Sequence, residues 1–242
     1  MIPRPIPVAA PTRVASRLAA APDGPREVVH ASSTAIYVDL DGWALGLLSS
    51  GATRVPCGLA STLPDLGVLE PVVGVRDGAL VVSDRTVRVA RLADPRVTRV
   101  GRHPGARSAR EISATSGLDL PVDGRLTVAD LDRLVGRGPG LTPLGDDVLA
   151  GWFAARAALD RPDDVLAAAV RRRLGLTTLL SATLLDCALR GEALPQLADW
   201  LADPTDTTAA ALLAVGATSG AGLMAGARLA LTSLHDASGR AA

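Results

Sequence analysis

Lysine is absent from this chain, and all 25 of its basic residues are arginine. That excludes a Schiff-base lysine and a P-loop lysine reaching toward a nucleotide phosphate. An anion must therefore be held by Arg, by backbone N–H groups or by a metal. Aromatic side chains make up only 2%, as three Trp, one Tyr and one Phe. A platform that stacks successive bases needs more, so no nucleic-acid partner is expected. The histidines, His30, His103 and His235, form no HExxH or paired spacing, which argues against a histidine zinc site. Cys57 and Cys187 form no CxxC and read as buried thiols in a reducing compartment. The opening MIPRPIPVAAPTR has no continuous apolar stretch, so a cytoplasmic protein without a secretory signal is expected. Residues 207–227 carry no charge and could span a bilayer by length. They consist largely of Ala, Gly, Thr and Ser, which fits two buried helices meeting at a small-residue joint, and no membrane association is expected.

What the chain does have is globular composition: 242 residues, 48% hydrophobic, 21% charged and a net charge of zero. Its first part reads as strands. Residues 28–40 are β-like, Asp41-Gly42 signals a hairpin, and residues 43–48 return. Residues 68–75, Asp77-Gly78 and residues 79–82 repeat the pattern, with further strands at 86–92 and 97–100. The three prolines among residues 1–10 suggest an extended arm, residues 12–21 a short helix, and residues 22–25 a turn. After residue 105 the period becomes helical, with helices expected over 107–116, 127–135, 146–159, 162–174, 177–190, 194–201, 207–218 and 221–234. Thr127 and Asp130 form a capping-box-like pair. The fold class is α+β: a β-rich domain over 1–105, as an antiparallel sheet or small barrel, and an α-helical domain over 106–242. Between Asp84 and Arg110 stand eight Arg and two Asp, a basic run that reads best as a solvated strand face.

The most informative segment is residues 136–151, GRGPGLTPLGDDVLAG. Gly136, Gly138 and Gly140 crowd into five residues ahead of a helix. Thr142-Pro143 suits a helix start, and Gly145 is the alternative opening. Glycine permits positive φ and close approach of a ligand. Free N–H groups at a helix start bind anions. Gly138, Gly140, Thr142 and Gly145 are thus the candidate anion-binding residues. The segment lacks GK[ST], and a helix precedes it where a Rossmann fingerprint needs a strand, which excludes both nucleotide motifs. Asp146 and Asp147 stand about 100° apart around the helix. One can face the loop while the other faces away. They are the candidate catalytic pair, as proton acceptors or as Mg²⁺ ligands bridging to the anion. The alternative is that both favour the helix start through its dipole.

Two further groups of hydroxyls lie in apolar helices. Thr177 and Ser181 at i,i+4, or Thr178 and Ser181 at i,i+3, share a face. Thr218, Ser219 and Gly220 interrupt the long uncharged run, with Gly216, Gly222 and Gly226 around them. Either they pack helices closely, or Thr178, Ser181, Thr218, Ser219 and Gly220 line the same pocket as the 138–147 loop.

These three segments, taken together, resemble one family. GRGPGLTPLGDDVLAG is similar to the GxGPGLTPSGDDxLxG signature of the AllH-like family. TTLLSATLLDCALRGEALPQL and GATSGAGLMAG resemble its later T-x-x-S and G-x-T-S-G segments, in the same order. The resemblance covers residues 136–230 well and 28–135 more loosely. It places Gly138, Pro139, Gly140, Leu141, Thr142, Pro143, Gly145, Asp146, Asp147 and Gly151 on the signature, and Ser181, Thr218, Ser219 and Gly220 on the later segments. Leu144 departs from it, where the family often shows Ser. The resemblance implies a subunit of an oxamate carbamoyltransferase complex in allantoin catabolism. That complex interconverts oxalurate and phosphate with oxamate and carbamoyl phosphate, so a small anionic substrate and partner subunits are expected. A non-catalytic scaffold subunit and a stand-alone enzyme acting on a small carboxylic acid are the competing readings.

Overall fold

The computed structural model describes residues 4–100, 120–121 and 125–239, with side chains up to residue 232. It divides into two compact units, Met1–Pro95 and Arg96–Ala242. Strands fill the first and helices the second, so the α+β class holds.

The first unit is a nine-stranded sheet: β1 Ile6–Pro11, β2 Gly24–Pro25, β3 Val28–Ala31, β4 Ala35–Asp39, β5 Ala44–Leu48, β6 Gly58–Ser61, β7 Val73–Arg76, β8 Ala79–Val82 and β9 Arg85–Ala93. Their order is β2-β7-β8-β9-β1-β6-β5-β4-β3. Residues 24–31 supply both edge strands, so the sheet curls back on itself. Most pairings are antiparallel, but β1 runs parallel to β9 and β5 parallel to β6. Both expected hairpins form, around Asp41-Gly42 and Asp77-Gly78, each with positive φ at both turn residues. Four expectations change. The 28–40 run splits into β3 and β4 at a turn where the Ser32 hydroxyl bonds Ala35. The second hairpin begins at Val73 and leaves Val68 and Val72 exposed. Residues 22–25 include the short strand β2. From Ile6 on, the expected arm is an interior strand, because Ile6, Val8 and Ala10 alternate into the core. Helix α1, Thr12–Ala20, adds Val14 and Leu18.

The second unit contains α2 Val128–Leu134, α3 Leu144–Ala158, α4 Asp164–Arg171, α5 Leu179–Ala188, α6 Pro195–Ala202, α7 Asp206–Leu213 and α8 Ser219–Gly239. Thr127 and Asp130 form the expected capping box on α2. The Asp163 carboxylate caps α4 through Leu166 N–H. Helix α3 is buried nearly all round, which makes it the centre of the unit. It packs on α2, α5, α6 and α8. Residues 97–100 form no strand; Val97 N–H bonds Gly191 C=O, and Arg96 and Glu192 share a single bridge. The helix expected over 107–116 lies outside the described residues. No helix among the described residues is long and apolar enough to cross a membrane.

The uncharged run does become two helices, α7 and the start of α8, joined by a turn at Gly216 (φ 59°). Close crossing explains its glycines. A Cβ on Gly226 would lie 1.8 Å from the Val148 carbonyl oxygen of α3. On Gly151 of α3 it would lie 2.0 Å from the Leu223 carbonyl oxygen of α8, and on Gly222 2.7 Å from Asp147 Cβ. The backbones of α3 and α8 touch because none of these residues has a side chain.

Candidate functional site

The loop between α2 and α3 requires glycine for conformation. Gly136, Gly138 and Gly140 have φ of 70°, 126° and 89°, where other residues are strained. Helix α3 opens at Leu144 with Pro143 as its N-cap, between the two starts that the sequence suggested. The Asp146 and Asp147 N–H groups both reach back to Pro143 C=O. Gly145 N–H bonds Arg137 C=O, and a Cβ there would lie 2.0 Å from Leu134 C=O. Gly145 thus packs α3 against α2, and its N–H is engaged within the loop. Gly138, Pro139 and Gly140 form the exposed rim.

The two aspartates diverge, as the 100° angle between them requires. Asp146 is 1% exposed, and its carboxylate accepts three hydrogen bonds. Gly136 N–H donates to Oδ1 at 2.9 Å. The Thr177 hydroxyl and, at 2.7 Å, the Ser181 hydroxyl donate to Oδ2. Donors this numerous balance a buried charge and tie the loop to the start of α5. Thr178 makes a second tie: its hydroxyl donates to Leu141 C=O and accepts from Ser181 N–H as the α5 N-cap. Thr177 and the Gly136 N–H were not among the expected site groups. The Thr177/Ser181 spacing was the available signal for the first.

Asp147 turns toward α8. It is 6% exposed, the Ser219 side chain hydrogen-bonds its carboxyl, and Oδ2 has no partner. Burial pushes this carboxyl up to about 7; the Ser219 bond opposes the shift and the adjacent Asp146 adds to it. The Ser219 hydroxyl also meets the Thr142 hydroxyl at 2.9 Å. A line of polar groups thus runs from the loop at Thr142 to the buried Asp147. Thr218 is exposed on the turn before α8, with its carbonyl accepting from Gly222 N–H. A Cβ on Gly220 would lie 1.9 Å from Leu212 C=O, so this residue packs α8 on α7. Leu144 lies against α8: its Cδ1 would be 2.9 Å from a Cβ on Gly222.

The pair does not fit Mg²⁺. Asp146 already accepts three donors, and no group of three His, Cys, Asp or Glu gathers among the described residues.

The beginnings of α3, α5 and α8 therefore meet at one glycine loop, joined by Thr142–Ser219, Thr178–Leu141 and Ser181–Asp146. The class is an α+β protein whose helical unit holds buried acids beneath a glycine-rich loop. The family model of oxamate carbamoyltransferase subunit AllH matches residues 134–231, a span that includes every residue of this network from Gly136 to Ser219. Searches of curated proteins and of solved structures returned no match.

Proposed function

We propose that this chain is a subunit of an oxamate carbamoyltransferase-like complex and that it holds a small anion of that reaction at the 138–142 loop. The reaction interconverts oxalurate and phosphate with oxamate and carbamoyl phosphate. The observation that carries the reading is the convergence of three helix N-termini on one exposed glycine rim. Each N-terminus brings partial positive charge, and glycine lets the ligand approach the backbone. The match to the AllH subunit model supports the assignment to this complex. Transfer of a carbamoyl group between two bound anions needs orientation and a stabilised oxyanion more than an enzyme nucleophile. Gly138, Gly140 and Thr142 make up the ligand-facing rim. Asp146, Thr178 and Ser181 hold it in shape.

Thermal unfolding of the full chain with phosphate, carbamoyl phosphate, oxamate and oxalurate tests this. A ligand confined to the folded state adds about 2.7 kcal/mol at a hundred times its Kd. At least one of the four raises Tm, and Gly140→Val abolishes the rise. No shift with any of them, alone or with partner subunits present, rules the site out. A scaffold role draws on Leu176 and Leu213, exposed at 69% and 51% beside the glycines 136 and 220. If that role is the main one, Leu176→Asp and Leu213→Asp abolish assembly while the loop variant leaves turnover intact.

A further inference from the structure

We infer that the Thr142–Ser219–Asp147 line is a hydrogen-bond relay that selects anions carrying their own N–H or O–H group over anions that have none. The inference rests on the anion site proposed above and names the ligand class that it takes.

An ionised carboxylate only accepts hydrogen bonds. With Asp147 ionised, the Ser219 hydroxyl donates to it. The Ser219 oxygen then accepts from Thr142, which stands 2.9 Å away. The Thr142 hydrogen is thereby engaged, and toward the loop its oxygen offers only a lone pair. A ligand there must bring a donor. Hydrogen phosphate has an O–H, and oxamate, oxalurate and carbamoyl phosphate have N–H groups. Sulfate and oxalate have neither. With Asp147 protonated the chain can reverse: Asp147 donates to Ser219, Ser219 to Thr142, and Thr142 to an anion oxygen.

Asp147 is built to make this exchange. It is buried, and its Oδ2 lacks a partner, in contrast to the fully bonded Asp146 beside it. A buried polar atom left unpaired in a well-packed unit calls for a role. The charged group acting on Asp147 is Asp146, on its own helix. From α8 come Ser219 and Gly222, both uncharged. Burial, and then Asp146, holds the carboxyl near neutrality, so both polarities are accessible around pH 7.

Calorimetric titration of the full chain with inorganic phosphate and with sulfate gives the test. At pH 8.5 both are dianions of similar size, differing by one proton. Phosphate binds at least about tenfold more tightly, the worth of one hydrogen bond to a charged group. Sulfate affinity rises about tenfold between pH 8.5 and pH 6, over which its own charge is constant. Asp147→Asn removes the pH dependence. Ser219→Ala and Thr142→Val remove the preference for phosphate, and they carry the test if the Asn variant fails to fold. Equal binding of the two anions by the native chain, or a preference that survives Ser219→Ala and Thr142→Val, overturns the relay and leaves the anion site standing. Binding of neither anion overturns the site itself, and the relay with it.

Discussion

Two glycine-rich segments, residues 136–145 and 216–226, look alike as sequence and do opposite work. In the first, Gly136, Gly138 and Gly140 take positive φ, and a Cβ on Gly140 would meet nothing within 4 Å. At Gly140 the backbone conformation needs glycine while space does not; Gly136 and Gly138 need it for both reasons. In the second, Gly222 and Gly226 sit in the regular helix α8, and a Cβ would strike α3. Space needs glycine at these two positions, while conformation does not; only Gly216, at the turn before α8, takes positive φ. The difference teaches what each segment is for. One shapes an exposed rim, and the other lets two helices approach until Ser219 reaches Thr142 and Asp147.

The largest effect should come from the crowded segment. Gly226→Ala puts a Cβ against the Val148 carbonyl oxygen, and backbone cannot move aside without separating α3 from α8. It should lower unfolding free energy by at least about 3 kcal/mol in urea titration, the upper range for overpacking. Helix propensity alone favours Ala by about 1 kcal/mol. A gain in stability would therefore show that α8 does not cross α3 this closely.

The two aspartates sharpen the comparison, because each serves one segment. Asp146→Asn replaces one acceptor oxygen with an N–H₂ facing hydroxyl or N–H donors. It should cost about 3 kcal/mol at pH 7 and release the loop. Asp147→Asn should act with the opposite sign at pH 8. The Asp147 carboxyl rises from 3.8 to about 7 on folding. A raised pKa means that the folded state holds the proton more tightly, so the stabilisation is complete below the unfolded value and is lost as pH climbs through about 7. Asn keeps the neutral form at every pH. The variant should thus gain about 1–2 kcal/mol over the native chain at pH 8 and flatten its stability profile between pH 4 and 7. Parallel profiles for the two proteins would mean that Asp147 does not titrate in this window.

The sequence made these acids legible as a divergent pair, since adjacent residues on a helix cannot face the same way. It did not say which was satisfied. Thr177 and Ser181, the donors that distinguish Asp146, stand more than thirty residues away in the chain. The helices were legible through period and capping, as at Thr127 and Asp163. The hairpins were legible through Asp-Gly. Strand β1 was hidden because prolines mask its period of two, and parallel pairing leaves no local mark. The glycines were visible as a composition, but their two roles separate only when φ and neighbours are known.

The smallest effect is the cleanest separation of those roles. Gly140→Ala meets no steric obstacle and carries only the penalty of a left-handed backbone, about 1 kcal/mol. Gly138→Ala should cost more, since its Cβ would also lie 2.8 Å from Leu144 N. Asparagine tolerates positive φ better than alanine does. If conformation is the whole requirement at position 140, Gly140→Asn is less destabilising than Gly140→Ala by a few tenths of a kcal/mol in urea titration. At position 226 the order reverses, because the larger side chain enters the same contact with Val148. The same order at both positions would mean that the two segments are governed by one constraint, and that the rim at 140 is packed in the folded protein.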